Sequence, residues 1–156
     1  MGLFLTGHSA GGYNVALAAL DGRYLAAHDL QRSVVTGVAT LAGPFDFLPL
    51  DDPDTIAAFG DYAEPTETQP VNVVSRQAPP FLLLTGDADS TVGPYNSRNL
   101  KRKLDAAGVP VQLVLYPGLG HADVLTAIAR PLRWRAPVLD DITRFFEGLQ
   151  ASAKRS

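Results

Sequence analysis

The sequence predicts an α/β fold: a mostly parallel sheet of about four strands with helices packed on its faces. Three observations point there. Short apolar runs alternate along the chain with longer segments of helical pattern. The runs are apolar nearly throughout, as strands covered on both faces are, and lack the polar alternation of a half-exposed sheet. Glycine closes several of them, at Gly7, Gly43 and Gly86, where a strand must turn into its next connection.

Taken in order, Leu3–Thr6 is too short and too apolar for a helix and reads as a buried strand. Ala10–Leu20 is rich in Ala and Leu on nearly all sides, the pattern of a buried helix, and Asp21-Gly22 stops it. Val34–Leu41 is a second strand, ended by Gly43-Pro44. Residues 44–80 carry many prolines and acidic groups and read as a loop excursion. It holds one short helix at Asp51–Phe59, with Asp52 or Asp54 as cap and Pro53 in the first turn. Phe81–Leu84 is a third strand. Ser97–Ala107 is an amphipathic helix with Gly108 just past its end. Val111–Tyr116 is the fourth strand. A last helix runs from about Pro137 to Leu149, with residues 151–156 a frayed tail. Residues 1–156 make one domain, and folding a chain of this size buries roughly 70% of its unfolded surface.

Composition narrows the function classes. Hydrophobic residues make up 46% and charged residues 19%, a globular balance. The net charge of −3 offers no basic excess for nucleic acid or anionic lipid. The basic groups at 98–103 and 130–135 are short and interrupted, and read as solvated faces. Without cysteine there is no disulfide, thiolate or zinc–thiolate chemistry. The three histidines, His8, His28 and His121, stand too far apart for a helical metal pair, and no metal or organic cofactor is implied. No stretch reaches the roughly 18 apolar residues of a membrane span, and no basic leader precedes the first apolar run. The expected location is cytoplasmic.

The chemistry is concentrated in three places. Gly7-His8-Ser9-Ala10-Gly11 is a G-x-S-x-G pentapeptide lying between a strand and a helix. There the chain must turn sharply, with small residues two positions either side of the serine letting backbones approach. The serine hydroxyl is left exposed, and the Ala10 N–H heads a helix whose dipole favours an oxyanion. A serine hydroxyl is a weak nucleophile without a base, and the base needs an orienting carboxylate. In this class they follow in the order Ser, acid, His. "FLLLTGDADSTV" and "VQLVLYPGLGHADV" each place the needed group just past the carboxyl end of a strand. Asp89 is the acid, with Asp87 its nearest rival as a turn residue. His121 is the base, following a flexible Gly118-Leu119-Gly120. Ser9, Asp89 and His121 are thus the expected catalytic residues and Ala10 the oxyanion donor.

His8 is either structural or a substrate contact, and Phe45, Phe47 and Leu48 are either pocket walls or core. His28 faces solvent, Asp123 caps a helix or holds a loop, and Trp134 packs the last helix on the sheet. The substrate expected is a small ester or amide.

"LTGHSAGGYNVALAALD", "LAGPFDFLPL", "FLLLTGDADSTV" and "YPGLGHADV" resemble the carboxyl half of α/β-hydrolase fold esterases and lipases. The branch most similar is that of bacterial carboxylesterases related to hormone-sensitive lipase and kynurenine formamidase. The resemblance implies a truncated α/β-hydrolase fold and a serine esterase mechanism. It also implies about four strands and an H-G-G-type oxyanion loop before the serine, which this sequence lacks. The strand at 3–6 would then be a sheet edge, and an exposed apolar edge is a template for pairing. A homodimer through residues 3–6 is the expectation. The alternative to an active esterase is a catalytically weak or inactive fragment that associates with itself or a partner through that edge.

Overall fold

Phe81-Leu82-Leu83-Leu84 is the most deeply buried run of the chain, with each side chain at most 1% exposed. Alternate residues of this strand point to opposite faces and so reach two separate cores. Phe81 and Leu83 pack with Ala16 and Leu20 on one face and with Leu100 and Leu104 from a later helix. Leu82 and Leu84 pack on the other face with Val124, Val138 and Ile142. Each such side chain contributes roughly 1.5–3 kcal/mol when buried.

The computed structural model describes residues 2–155. Its sheet has the order β1 (Leu3–His8), β2 (Val35–Leu41), β3 (Phe81–Gly86), β4 (Val111–Tyr116), every pair parallel. Parallel neighbours need crossover connections. These carry α1 (Ala10–Leu20) and α2 (Gly22–Ala26), then α3 (Pro53–Phe59), then α4 (Tyr95–Ala106). Past β4 come α5 (His121–Thr126) and α6 (Val138–Ala153). The predicted α/β class, four parallel strands and flanking helices are all present. None of the described helices is long and apolar enough to cross a membrane.

Local chemistry sets the boundaries. Asp21 ends α1 and at once caps α2, accepting the Arg23 N–H at 3.0 Å, so the predicted stop is also a start. Asp52, not Asp54, caps α3 through the N–H groups of Asp54 and Thr55. Gly108, at φ +73°, takes the left-handed turn past α4. α5 and the 3₁₀ turn at Arg130–Arg135 were not expected, because both are short and lack a clear apolar period. α6 runs through residues 151–153, which the sequence assigns to a frayed tail; the Ser152 hydroxyl donates to the Gly148 carbonyl within it.

Trp134 also departs from expectation. It sits in the 3₁₀ turn, 82% exposed, and packs no helix. Val138, Ile142, Phe145 and Phe146 fasten α6 to the sheet instead, with Phe146 stacked 4.5 Å from Phe4 of β1. β1 lies at the end of the sheet order, with β2 its one partner among the described strands.

Candidate active site

At the carboxyl end of β1 the backbone has no room for side chains. A Cβ on Gly7 would collide with the Gly11 carbonyl oxygen. A Cβ on Gly12 would lie 3.3 Å from the Gly43 Cα, where α1 meets the end of β2. Gly11 itself is different: a Cβ there meets nothing within 4 Å. The close approach expected of both flanking glycines therefore falls on Gly7 and Gly12. Between them Ser9 is held at φ 55°, ψ −124°, a conformation that costs a non-glycine residue about 1–3 kcal/mol. Its N–H is fixed on the Leu41 carbonyl at 2.9 Å. Its side chain makes no helix-capping bond and is left free to face the sheet rim. Ala10 follows as the first residue of α1, where amides have no acceptor within the helix.

The loop after β3 supplies a carboxylate. Asp89 has a fully buried side chain. Its Oδ1 accepts the N–H groups of Thr91 at 2.9 Å and Val92 at 2.8 Å. Its Oδ2 lies 2.8 Å from His121 Nδ1. A carboxylate only accepts, so the hydrogen resides on Nδ1 and Nε2 presents its lone pair. That Nε2 lies 2.9 Å from Ser9 Oγ, which donates to it. Ser9, Asp89 and His121 thus form one connected chain of hydrogen bonds from three separate strand ends.

The loop carrying His121 is not the flexible segment its glycines suggest. Asp87 Oδ1 accepts the Gly118 N–H at 2.7 Å. Asp123 Oδ2 accepts the Gly120 N–H at 2.9 Å and its other oxygen pairs with Arg135. The Gly120 N–H first, and Arg135 next, hold the Asp123 carboxyl below the ordinary value. Leu119 is buried, its carbonyl accepting the Ala88 N–H. Gly86 makes room for it, since a Cβ there would collide with the Leu119 carbonyl oxygen. Asp87 therefore anchors the base's loop, and Asp89 meets the base.

The remaining expected residues divide. His8 turns its ring to His121, with Nε2 3.0 Å from the His121 main-chain oxygen. His28 is exposed. Phe45 is fully buried in the core and lines no surface, because its ring fills the space beside Gly43. Leu48 is half-buried. Phe47 is half-buried and packs edge-on against Tyr13, one turn beyond Ser9, and tilted against Phe59 of α3, with centroids 5.7 Å away in each case. No local pattern singles out Tyr13 in the sequence. Its hydroxyl donates to the Thr68 carbonyl at 2.9 Å, and burial pushes its pKa up to about 12. Asn96 and Gln69 were also missed. Asn96 Oδ1 accepts the N–H groups of Phe45 and Asp46, both at 2.8 Å, and Gln69 Oε1 accepts that of Phe47 at 2.8 Å. An amide buried to 2% or less within an acidic, proline-rich stretch or at a helix start is the signal, visible only once burial is known.

The family model of the prolyl oligopeptidases matches residues 2–150. The chain belongs to the prolyl oligopeptidase family. This family lies within the α/β-hydrolase superfamily, so the resemblance to α/β-hydrolase esterases holds at superfamily level. No curated protein matches the chain. Solved structures share the fold of this prolyl oligopeptidase-family chain. A truncated carbohydrate esterase from gut microbiota is 23% identical, with a TM-score of 0.75 over 96% of this chain and 60% of its own. Esterase B from Lactobacillus rhamnosis is 24% identical, with a TM-score of 0.72 over 97% of this chain and 55% of its own. Dipeptidyl peptidase 4 from Porphyromonas gingivalis is 17% identical, with a TM-score of 0.61 over 85% of this chain and 19% of its own. The chain therefore spans at most 60% of the length of these three.

Proposed function

We propose that this chain carries the catalytic residues of a serine hydrolase that cleaves a small ester or amide through an acyl-enzyme. The observation that carries the reading is the unbroken relay from Ser9 Oγ to His121 Nε2 (2.9 Å) and from His121 Nδ1 to Asp89 Oδ2 (2.8 Å). His121 takes the hydroxyl proton as Oγ attacks a carbonyl carbon. Buried Asp89 keeps the imidazole in the productive tautomer and stabilises the imidazolium that forms. The oxyanion forms beside the Ala10 N–H at the head of α1. His121 then protonates the leaving group, and water, deprotonated by the same imidazole, releases the acid. Esterases and a dipeptidyl peptidase among the fold neighbours use ester and amide carbonyls, which supports that substrate class.

A second reading is favoured by the sheet edge at β1 and by the single oxyanion donor recognisable among the described residues: a catalytically weak chain that associates through that edge. Loss of one oxyanion donor costs about 10²–10³ in kcat in a serine protease. A fluorophosphonate probe separates the readings. Stoichiometric labelling of the wild type and none of Ser9→Ala is the expected result. Labelling that persists in Ser9→Ala removes Ser9 from its role, and an unlabelled wild type favours the weak-chain reading.

A further inference from the structure

His8 takes no part in the proton relay, yet it is the side chain of β1 that touches the base. Its Nε2 lies 3.0 Å from the His121 main-chain oxygen, and the two rings lie 4.7 Å apart, tilted by 45°. A carbonyl oxygen only accepts, so His8 carries its hydrogen on Nε2 and donates it. The two imidazoles therefore hold opposite tautomers: hydrogen on Nε2 in His8 and on Nδ1 in His121.

The bond has a geometric consequence. His121 is fixed by its ring at two points, Asp89 and Ser9. Asp87 and Asp123 fix the loop on either side of it. Among the described residues, only His8 ties the main chain of residue 121 itself to the strand that leads into the nucleophile. The spacing between hydroxyl and imidazole is thus set by one peptide unit, from residue 8 to residue 9, and one hydrogen bond. A misplacement of about 1 Å in such a pair costs on the order of 10²-fold in rate. We propose that His8 is a positioning residue, which sets the reach of the His121 imidazole to Ser9 by holding the His121 carbonyl. The proposal rests on the reading of Ser9 as nucleophile and His121 as base.

The test combines kinetics with nitrogen NMR. His8→Leu is expected to lower the maximal rate of Ser9 phosphonylation by roughly 10- to 100-fold while leaving probe affinity unchanged. His8→Gln, whose side-chain amide can donate to the same carbonyl, is expected to restore most of that rate. In the wild type, ¹⁵N shifts should place the hydrogen on Nε2 of His8 and on Nδ1 of His121. The proposal is overturned if His8→Leu is labelled at the wild-type rate, or if His8→Gln is as slow as His8→Leu with its melting temperature unchanged. A His8 with its hydrogen on Nδ1 also overturns it, even where the Leu variant does not fold. An unlabelled wild type brings down the nucleophile reading and this proposal with it. Normal labelling of the wild type with no response at residue 8 brings down this proposal alone.

Discussion

A single Cβ separates the two glycines of the G-x-S-x-G pentapeptide. Gly7→Ala would drive a methyl group into the Gly11 carbonyl, where only backbone can yield. It is expected to prevent folding or to lower stability by several kcal/mol, on the order of the overpacking penalty or above it. Gly11→Ala meets nothing within 4 Å and sits inside α1, where alanine is favoured over glycine by about 0.5–1 kcal/mol. Urea unfolding should show the first variant collapsing and the second gaining up to that amount. Asp89→Asn presents a different residue-scale test. The amide would permit the wrong His121 tautomer, and a fall in labelling rate of about 10⁴ is expected, the size of the same change in a serine protease. Asp21 contributes to acid stability. The Arg23 guanidinium, chiefly by its side-chain hydrogen bonds, holds the Asp21 carboxyl below its usual value. A depressed folded pKa gives stability that is present above about pH 4 and is lost as pH falls through the folded value. The urea midpoint of the wild type should therefore fall more steeply than that of Asp21→Asn as pH drops below about 4.

Among the elements, the excursion between β2 and β3 depends on two amides. Asn96, at the start of α4, accepts two N–H groups of the segment after β2, and Gln69 accepts a third. Asn96→Ala would strand the buried Phe45 amide, at a cost of about 1–3 kcal/mol, and release the partly buried Asp46 amide beside it. A drop of that size in urea unfolding, with the Phe47 ring freed from Tyr13 and Phe59, is the expected outcome; an unchanged midpoint would show that the segment holds itself. The strands and the long helices were legible in the sequence because burial on two faces writes apolar runs, and amphipathic packing writes a period. Ser9, Asp89 and His121 were legible because their order and their places after strands carry the signal. Nothing local foretold that Asn96 and Gln69 would grip the loop, since that depends on which segments meet across 20 to 50 residues. α5 escaped because six residues are too few for a period, while Asp87 as a turn residue and Asp123 as a cap or loop holder were legible, and they hold the Gly118 and Gly120 N–H groups. Trp134 was misplaced for a related reason. An aromatic side chain favours burial, but a 3₁₀ turn bearing Arg130, Arg133 and Arg135 stands away from the sheet, and the space beneath α6 is filled by Phe145 and Phe146.

At the scale of the whole molecule, both end strands of the four-stranded sheet are only partly buried. β4 carries Tyr116, whose hydroxyl donates to Asp141 of α6 at 2.7 Å and whose pKa is raised by burial and by that bond. β1 carries half-buried and exposed residues, Leu3 among them at 47% exposure. We propose that this edge pairs with another strand, from a second copy when the chain is alone. Light scattering should find a dimer that Leu3→Lys weakens, since an edge lysine discourages strand pairing. A wild-type monomer at all concentrations would count against it. The molecule's optical behaviour follows from a different feature. The one indole of the chain is already in water, on an exposed surface turn. Its emission should be as red and as open to iodide quenching in the folded protein as in the denatured one. Melting curves recorded by that fluorescence would look flat while the sheet comes apart, and circular dichroism or tyrosine absorbance would have to report the transition.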